Sequence, residues 1–155
     1  GGGMVLTMGA TYPDYFAALI PIAAPLTVDQ SGIDKLKNQP MWLIHTKADT
    51  TVQPENSVLP LYKSLITSGA TNKWFSYFET ATGTDLPGTE YDGHWAWIYF
   101  FHDQVIGVQH PENTKNWDGY SGMVATDPTN GGGSRASVNG QTYNSIFDWM
   151  SAQRH

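Results

Sequence analysis

Two residues of this sequence, Asp49 and His94, have the side chains and the surroundings of an acid and a base. Asp49 lies three residues past an apolar segment, Met41–Thr46 (MWLIHT), that is typical of a buried strand. A carboxylate beyond the carboxyl end of a parallel strand can accept a hydrogen bond from an imidazole and fix its tautomer. Local sequence alone favours a simpler role, in which Asp49 caps the helix that begins near Pro54 or closes the turn before it.

His94 comes after a third predicted strand and a turn-rich loop of residues 82–93. Gly93, directly before it, permits an unusual backbone and a close approach to a neighbouring segment. A histidine on such a loop can act as a general base and then as a general acid near neutral pH. An exposed or structural histidine at a helix start fits the local sequence equally well.

A serine nucleophile would complete the pair, but the sequence has no Gly-x-Ser-x-Gly pattern. The chain opens instead on Gly1, Gly2 and Gly3, which lead straight into a helical pattern. Small residues follow a nucleophile of this kind because the helix must pass close to its strand. We therefore expect a serine one or two residues upstream of Gly1, with a cloning remnant as the alternative explanation of the glycines.

The other histidines are weaker candidates for chemistry. His45 lies inside a predicted strand, His102 lies on a predicted helix, and His110 and His155 lie in a loop and in the C-terminal tail. No HExxH pattern occurs and the histidine spacings match no familiar ligand set, so we predict no metal site and no cofactor.

Two tryptophans accompany His94 in the sequence. Trp95 and Trp97 are candidates for lining an acyl or aryl pocket, with Trp95 as the residue expected next to the substrate. Core packing is the alternative role, and we expect it for at least one of the two.

Apolar spacing predicts strands that alternate with helices. Helices are expected over residues 4–15, 31–38, 54–68, 94–106 and 143–154, and strands over residues 16–24, 41–46 and 73–80. This order favours an α/β fold with three parallel strands. Because such a sheet is small and would leave one edge bare, we expect it to be part of a larger sheet.

Residues 107–142 are rich in Gly, Asn and Ser and are expected to form an insertion or a long loop, with a linker-like Gly131-Gly132-Gly133-Ser134.

The composition excludes several classes of protein. The chain of 155 residues is long enough for one domain with a core, and its 40% hydrophobic and 14% charged residues argue against a disordered protein. A net charge of -6 with only 8 Lys and Arg residues argues against nucleic acid as a partner. No apolar run reaches the length of a membrane span. The absence of Cys removes disulfides and thiol nucleophiles, and it fits a secreted or extracytoplasmic protein, with a cytoplasmic location as the alternative.

Four segments resemble bacterial esterases of the α/β-hydrolase superfamily, the group called prolyl-oligopeptidase-like or polyhydroxybutyrate-depolymerase-like. They are GGGMVLTMGATYPDYFAALIPIAAP (residues 1–25), MWLIHTKADTTVQPENS (41–57), YDGHWAWIYFF (91–101) and SIFDWMSAQ (145–153). The resemblance implies that residues 1–155 are the C-terminal part of one α/β-hydrolase domain. It also implies that Asp49 is the catalytic acid and that His94 is the catalytic histidine. The nucleophile and the oxyanion-hole donors would then lie upstream of Gly1.

The function expected from these features is hydrolysis of carboxylic esters through an acyl-enzyme. The partners are a small-molecule ester and the missing N-terminal portion of the fold, as a covalent or a separate chain; no nucleic acid and no membrane are expected. A peptidase of the same fold is one alternative, and a non-catalytic fragment or carbohydrate-contacting module is another. Without its nucleophile, the chain by itself is expected to be inactive and to fold poorly.

Overall fold

Helices cover both faces of a parallel pair of strands in the computed structural model, which describes residues 1–83 and 85–154. The α-helices are α1 (Gly2–Thr11), α2 (Gln30–Leu36), α3 (Val58–Thr67), α4 (Trp97–Phe101) and α5 (Ile146–Ala152). The strands are β1 (Met41–Thr46), β2 (Lys73–Phe78), β3 (Ala81–Thr82), β4 (Glu90–Tyr91), β5 (Ser137–Val138) and β6 (Gln141–Thr142). Short 3₁₀ turns occupy Pro54–Asn56, Asn113–Lys115 and Asp118–Tyr120.

Strands β1 and β2 form the centre of the molecule and pair in parallel, from Met41 beside Lys73 to Thr46 beside Phe78. Every residue of β1 is buried, which explains why its first four residues are all apolar rather than alternately apolar and polar. Helices α1, α2 and α3 pack on one face of the pair and α4 and α5 on the other. The structure thus confirms the predicted positions of these two strands.

The predicted three-stranded parallel sheet is not formed, because the segment of residues 16–24 is not a regular strand. It runs parallel to β1 and makes two isolated bridges, from Leu19 to Met41 and from Ile22 to Ile44. Pro21 lies between the bridges and has no N–H to donate, so the ladder is interrupted at its middle. Four backbone hydrogen bonds still join this segment to residues 40–44.

The far edge of β2 is covered by the Gly-rich region that the sequence predicted as a long loop. Gln109 donates its backbone N–H to Phe75, and Tyr77 and Glu79 bond to the backbone of residues 126 and 131. Glycines make this close approach possible, since a Cβ on Gly107 would lie 1.6 Å from the carbonyl oxygen of Asn130. The residues of the linker-like stretch are therefore packed against the sheet edge.

The predicted helices differ from the structure at their ends, most clearly α1 and α4. Helix α1 ends at Thr11, two residues before Pro13, and α4 has only five residues. A left-handed backbone at Asp103, with φ of 55°, follows α4 and prevents its extension to residue 106. Gly69 ends α3 with φ of 79°, as its sequence position indicated. None of the helices within the described residues combines the length and the apolar character that crossing a membrane requires.

Candidate active site

Asp49 lies in the turn that follows β1 and is almost fully buried, at 2% exposure. Its Oδ1 accepts the backbone N–H groups of Thr51 at 3.0 Å and of Val52 at 2.8 Å. Its Oδ2 lies 2.9 Å from Nδ1 of His94. The turn thus fixes one carboxylate oxygen and directs the other at the imidazole.

The environment of Asp49 keeps its carboxylate ionised. Burial by itself raises the pKa of this group, but hydrogen bonds from His45, from the backbone of Val52 and from His94 outweigh that effect. The result is a pKa lowered from its ordinary value of 3.8 to about 2. At neutral pH the group is therefore a negatively charged acceptor of hydrogen bonds.

The charge on Asp49 determines the tautomer of His94. Because a carboxylate only accepts hydrogen bonds, Nδ1 of His94 must carry the proton, and the lone pair lies on Nε2. Nε2 makes no hydrogen bond to any residue that the structure describes, and the side chain is 27% exposed. This is the arrangement of a general base whose accepting nitrogen is accessible.

The backbone of the His94 loop is held against the end of β1. Asp92 accepts the backbone N–H of His94 at 2.8 Å, and Thr46 donates its hydroxyl to the carbonyl of Gly93. A Cβ on Gly93 would lie 2.2 Å from the carbonyl oxygen of Ala48 and 2.8 Å from the nitrogen of Asp49. The close approach that Gly93 permits is therefore what places His94 beside the acid.

His94 opens onto a cavity of about 690 Å³. The first residues of α1, the segment after Leu19, the acid turn and α4 all contribute to its wall. The lining residues are Gly1, Gly2, Val5, Ile20, Ile22, Ala23, Pro25, Val52, His94, Trp97 and Phe101. His94 and the two leading glycines thus share one cavity, although they are far apart in sequence.

The structure places the two tryptophan candidates differently. Trp97 lines the cavity and meets the His94 ring edge to face, with centroids 5.4 Å apart. Trp95 is 42% exposed and stacks between Tyr91 and Trp97, with centroids at 5.6 and 6.2 Å, and it is not part of the described cavity wall. Of the two, Trp97 is the one that lines the cavity onto which His94 opens.

The sequence did not show that a third residue, His45, lies beside Asp49. The imidazole is fully buried in β1, and its Nε2 lies 3.2 Å from Oδ2 of Asp49 and 2.8 Å from the carbonyl oxygen of Val52. The spacing of four residues between His45 and Asp49, at the end of a strand, was the one available signal. His102 and His110 lie outside the cavity wall, and His155 lies outside the described residues.

No group of three or more His, Asp and Glu side chains within residues 1–83 and 85–154 has the geometry to hold a metal ion.

One solved structure, described as the crystal structure of a thermostable esterase, is similar to this chain. The TM-score is 0.53 and the sequence identity 31%, over 67% of this chain and 26% of the esterase chain. No protein-family model and no curated protein sequence matches the chain. The chain thus has an esterase-like fold, and the part compared spans about a quarter of the length of that esterase.

Proposed function

We propose that this chain supplies the acid and the base of a carboxylesterase-type serine hydrolase. The observation that carries the proposal is the 2.9 Å hydrogen bond from His94 Nδ1 to the ionised Asp49, with Nε2 of His94 unbonded among the described residues beside a cavity. This is the acid and base arrangement of a Ser-His-Asp system. Similarity to a solved esterase supports the same reaction class.

The nucleophile of the proposed enzyme is a serine just upstream of Gly1. Support comes from the start of α1, where a Cβ on Gly2 would lie 2.2 Å from the carbonyl oxygen of Ile22. Such crowding is expected where a helix leaves a sharp nucleophile turn and passes close to a strand. A residue preceding Gly1 would also enter the cavity that His94 lines.

The upstream part of the fold would complete the sheet beside residues 18–22. An apolar groove of about 500 Å³ lies between α1 and this segment, and it is lined by Gly1, Met4, Val5, Met8, Phe16, Ala18, Leu19 and Ile20. Exposed Met4 and Met8 give the groove the character of an uncovered core rather than of a protein surface. In this proposal the chain is the C-terminal part of an α/β-hydrolase domain, and the upstream part adds the strand that ends at the serine.

The reaction begins when the serine oxygen attacks the ester carbonyl carbon while Nε2 of His94 takes the hydroxyl proton. Asp49 holds Nδ1–H and stabilises the imidazolium that forms. Backbone N–H groups of the upstream part hold the oxyanion. The tetrahedral intermediate then collapses, the alcohol leaves with the proton from His94, and the acyl group remains on the serine.

Water completes the cycle by attacking the acyl-enzyme. His94 takes a proton from the water as it attacks, and it returns the proton to the serine oxygen when the carboxylic acid leaves. The same nitrogen therefore acts twice as base and twice as acid. Trp97 and Val52 stand in the wall beside it, where they would contact the acyl or alcohol group.

The test begins with the residues directly before Gly1 in the full-length protein, where we expect Gly-x-Ser. A fluorophosphonate probe should label that serine, and His94→Gln should abolish both labelling and hydrolysis of a short p-nitrophenyl ester. His102→Gln is the matched control, because His102 is exposed and lies outside the cavity wall. Absence of a serine there, or full labelling of the His94→Gln variant, would refute the proposal.

Parallel assays on an ester and on the amide with the same acyl group test whether the leaving group of the substrate is an alcohol or an amine. The proposal expects turnover of the ester and much slower turnover of the amide. Equal kcat/KM values on both would instead assign a peptidase.

A further inference from the structure

His45 is a fully buried histidine whose two ring nitrogens have different surroundings. Nε2 lies 2.8 Å from the carbonyl oxygen of Val52 and 3.2 Å from Oδ2 of Asp49. Nδ1 is buried and makes no hydrogen bond to any residue in the described part of the chain. The ring lies on the face of β1 that also carries Met41 and Leu43, which is the apolar face packed by α1, α2 and α3.

The contact with Val52 determines where the proton of His45 lies. A carbonyl oxygen only accepts hydrogen bonds, so Nε2 must be the protonated nitrogen. The lone pair of the neutral ring then lies on Nδ1, where it is unpaired in an apolar environment. An unpaired buried polar atom costs stability, and an apolar side chain of similar size would avoid that cost. The presence of a histidine at this position is explained if its Nε2–H is needed.

The Nε2–H of His45 closes a ring of contacts around the acid. Val52 donates its N–H to Oδ1 of Asp49, and its carbonyl accepts from His45, which also faces Oδ2. Torsion about the bond to a carboxylate group is soft, so backbone contacts to Oδ1 alone leave the plane of the group free to rotate. A second donor on the Oδ2 side restricts that rotation.

We infer that His45 is a positioning residue of the proposed esterase, whose Nε2–H holds the Asp49 carboxylate in the plane that presents Oδ2 to His94. The inference rests on the proposed function. His45 is not part of the cavity wall and acts only through Asp49 and Val52.

A pair of amide substitutions separates this role from simple filling of space. In His45→Gln the side-chain amide reaches the place of Nε2 and can donate to Val52 and Asp49, whereas in His45→Asn it reaches only the place of Nδ1. We expect His45→Asn to lower kcat about 10- to 100-fold, the loss expected for a hydrogen bond to a charged group, with KM little changed. We expect His45→Gln to stay close to the wild type.

Nuclear magnetic resonance of ¹⁵N-labelled histidine in the full-length protein gives a second measurement that needs no turnover. His45 should be in the Nε2–H tautomer. The Nδ1–H proton of His94 should keep its position in His45→Gln and shift in His45→Asn. If a variant is too unstable for a kinetic comparison, the tautomer of His45 in the wild-type protein still tests the inference and can contradict it.

The outcomes separate the inference from the function on which it rests. If esterase activity depends on Asp49 but both His45 variants lose activity equally, or neither does, the positioning role is refuted and the proposed function stands. A proton on Nδ1 of His45 would also refute it. If the wild-type protein hydrolyses no ester, the proposed function fails, while the tautomer and the His94 proton still report whether His45 holds the acid.

Discussion

Substitution of Asp49 by Asn is the sharpest test of the site, because the structure determines how the new amide will be oriented. The backbone N–H groups of Thr51 and Val52 require an acceptor at the position of Oδ1. The amide oxygen of Asn will therefore take that position and the NH₂ group will take the position of Oδ2. That group is a donor and faces Nδ1 of His94. It also faces Nε2–H of His45, which keeps the carbonyl oxygen of Val52 as its acceptor.

The donor at Oδ2 reverses the tautomer of His94. Nδ1 must now accept, so the proton moves to Nε2, which then cannot take the proton of a serine. Loss of the correct tautomer with intact geometry costs about 10⁴-fold in kcat in a Ser-His-Asp enzyme, or about 5.5 kcal/mol in activation free energy. KM should change much less, since Asp49 is not part of the cavity wall.

The assay is hydrolysis of a p-nitrophenyl ester by the full-length protein at neutral pH, with circular dichroism to show that the variant is folded. Asp29→Asn is the matched control, because Asp29 caps α2 through an oxygen that Asn also provides. A decrease of less than about tenfold in kcat for Asp49→Asn would refute the assignment of the acid. A similar decrease in Asp29→Asn would show that the effect comes from folding instead.

Three further predictions concern stability and the His94 loop. Asp49 has a folded-state pKa of about 2 against an ordinary value of 3.8, so unfolding takes up a proton between these pH values and acid favours unfolding. At about 1.4 kcal/mol per pKa unit, the ionised group should lose about 2 kcal/mol of its stabilising effect as the pH falls from 5 to 2. Urea titrations of Asp49→Asn should lack this pH-dependent loss of stability. In Gly93→Ala the new Cβ meets the backbone of Ala48 and must displace His94, which should lower kcat by about 10²-fold. The control is Gly88→Ala in an exposed part of the same loop, where a Cβ meets nothing within 4 Å, so the variant adds only the backbone strain of a side chain at φ of 81°. Equal kcat values in both variants would contradict the argument. Asn72 accepts the indole N–H groups of Trp74 at 2.8 Å and Trp149 at 2.9 Å. Because the backbone of Asn72 is left-handed, with φ of 52°, the test uses Asn72→Gly, which tolerates this φ but removes the acceptor and should lower the unfolding free energy by about 2–4 kcal/mol. Asn72→Asp keeps the acceptor and should keep most of the stability; equal losses in thermal unfolding would show that the acceptor is unimportant.

The elements that the sequence predicted well are those whose signal is local. β1 begins with four successive apolar residues and β2 is rich in aromatic residues, because both faces of the pair are covered, and Gly69 has the left-handed backbone that ends α3. The segment of residues 16–24 has the same apolar character, yet Pro21 prevents a continuous ladder. An apolar run shows that a segment is buried, but it does not show that every backbone hydrogen bond is made.

The features that the sequence could not show depend on contacts between distant segments. The Gly-rich region covers the edge of β2 because glycines such as Gly107 and Gly131 allow close contact between two backbone segments, whereas composition alone predicted an insertion or a long loop with a linker-like stretch. The pairing of Asp49 with His94 was inferred from the order of the elements and from a resemblance. His45 was placed inside a predicted strand, and the turn that follows β1 brings Asp49 and Val52 to its Nε2.

The geometry of the site follows from the register of β1. His45 and Thr46 are neighbours in sequence and point to opposite faces of the strand, where one bonds Val52 of the acid turn and the other bonds Gly93 of the histidine loop. A shift of one residue in the pairing of β1 with β2 would exchange the two faces and break both contacts at once. The buried register of the parallel pair therefore positions the acid turn and the histidine loop together. For this reason the distance between Asp49 and His94 depends on the packing of the whole sheet rather than on the two loops alone.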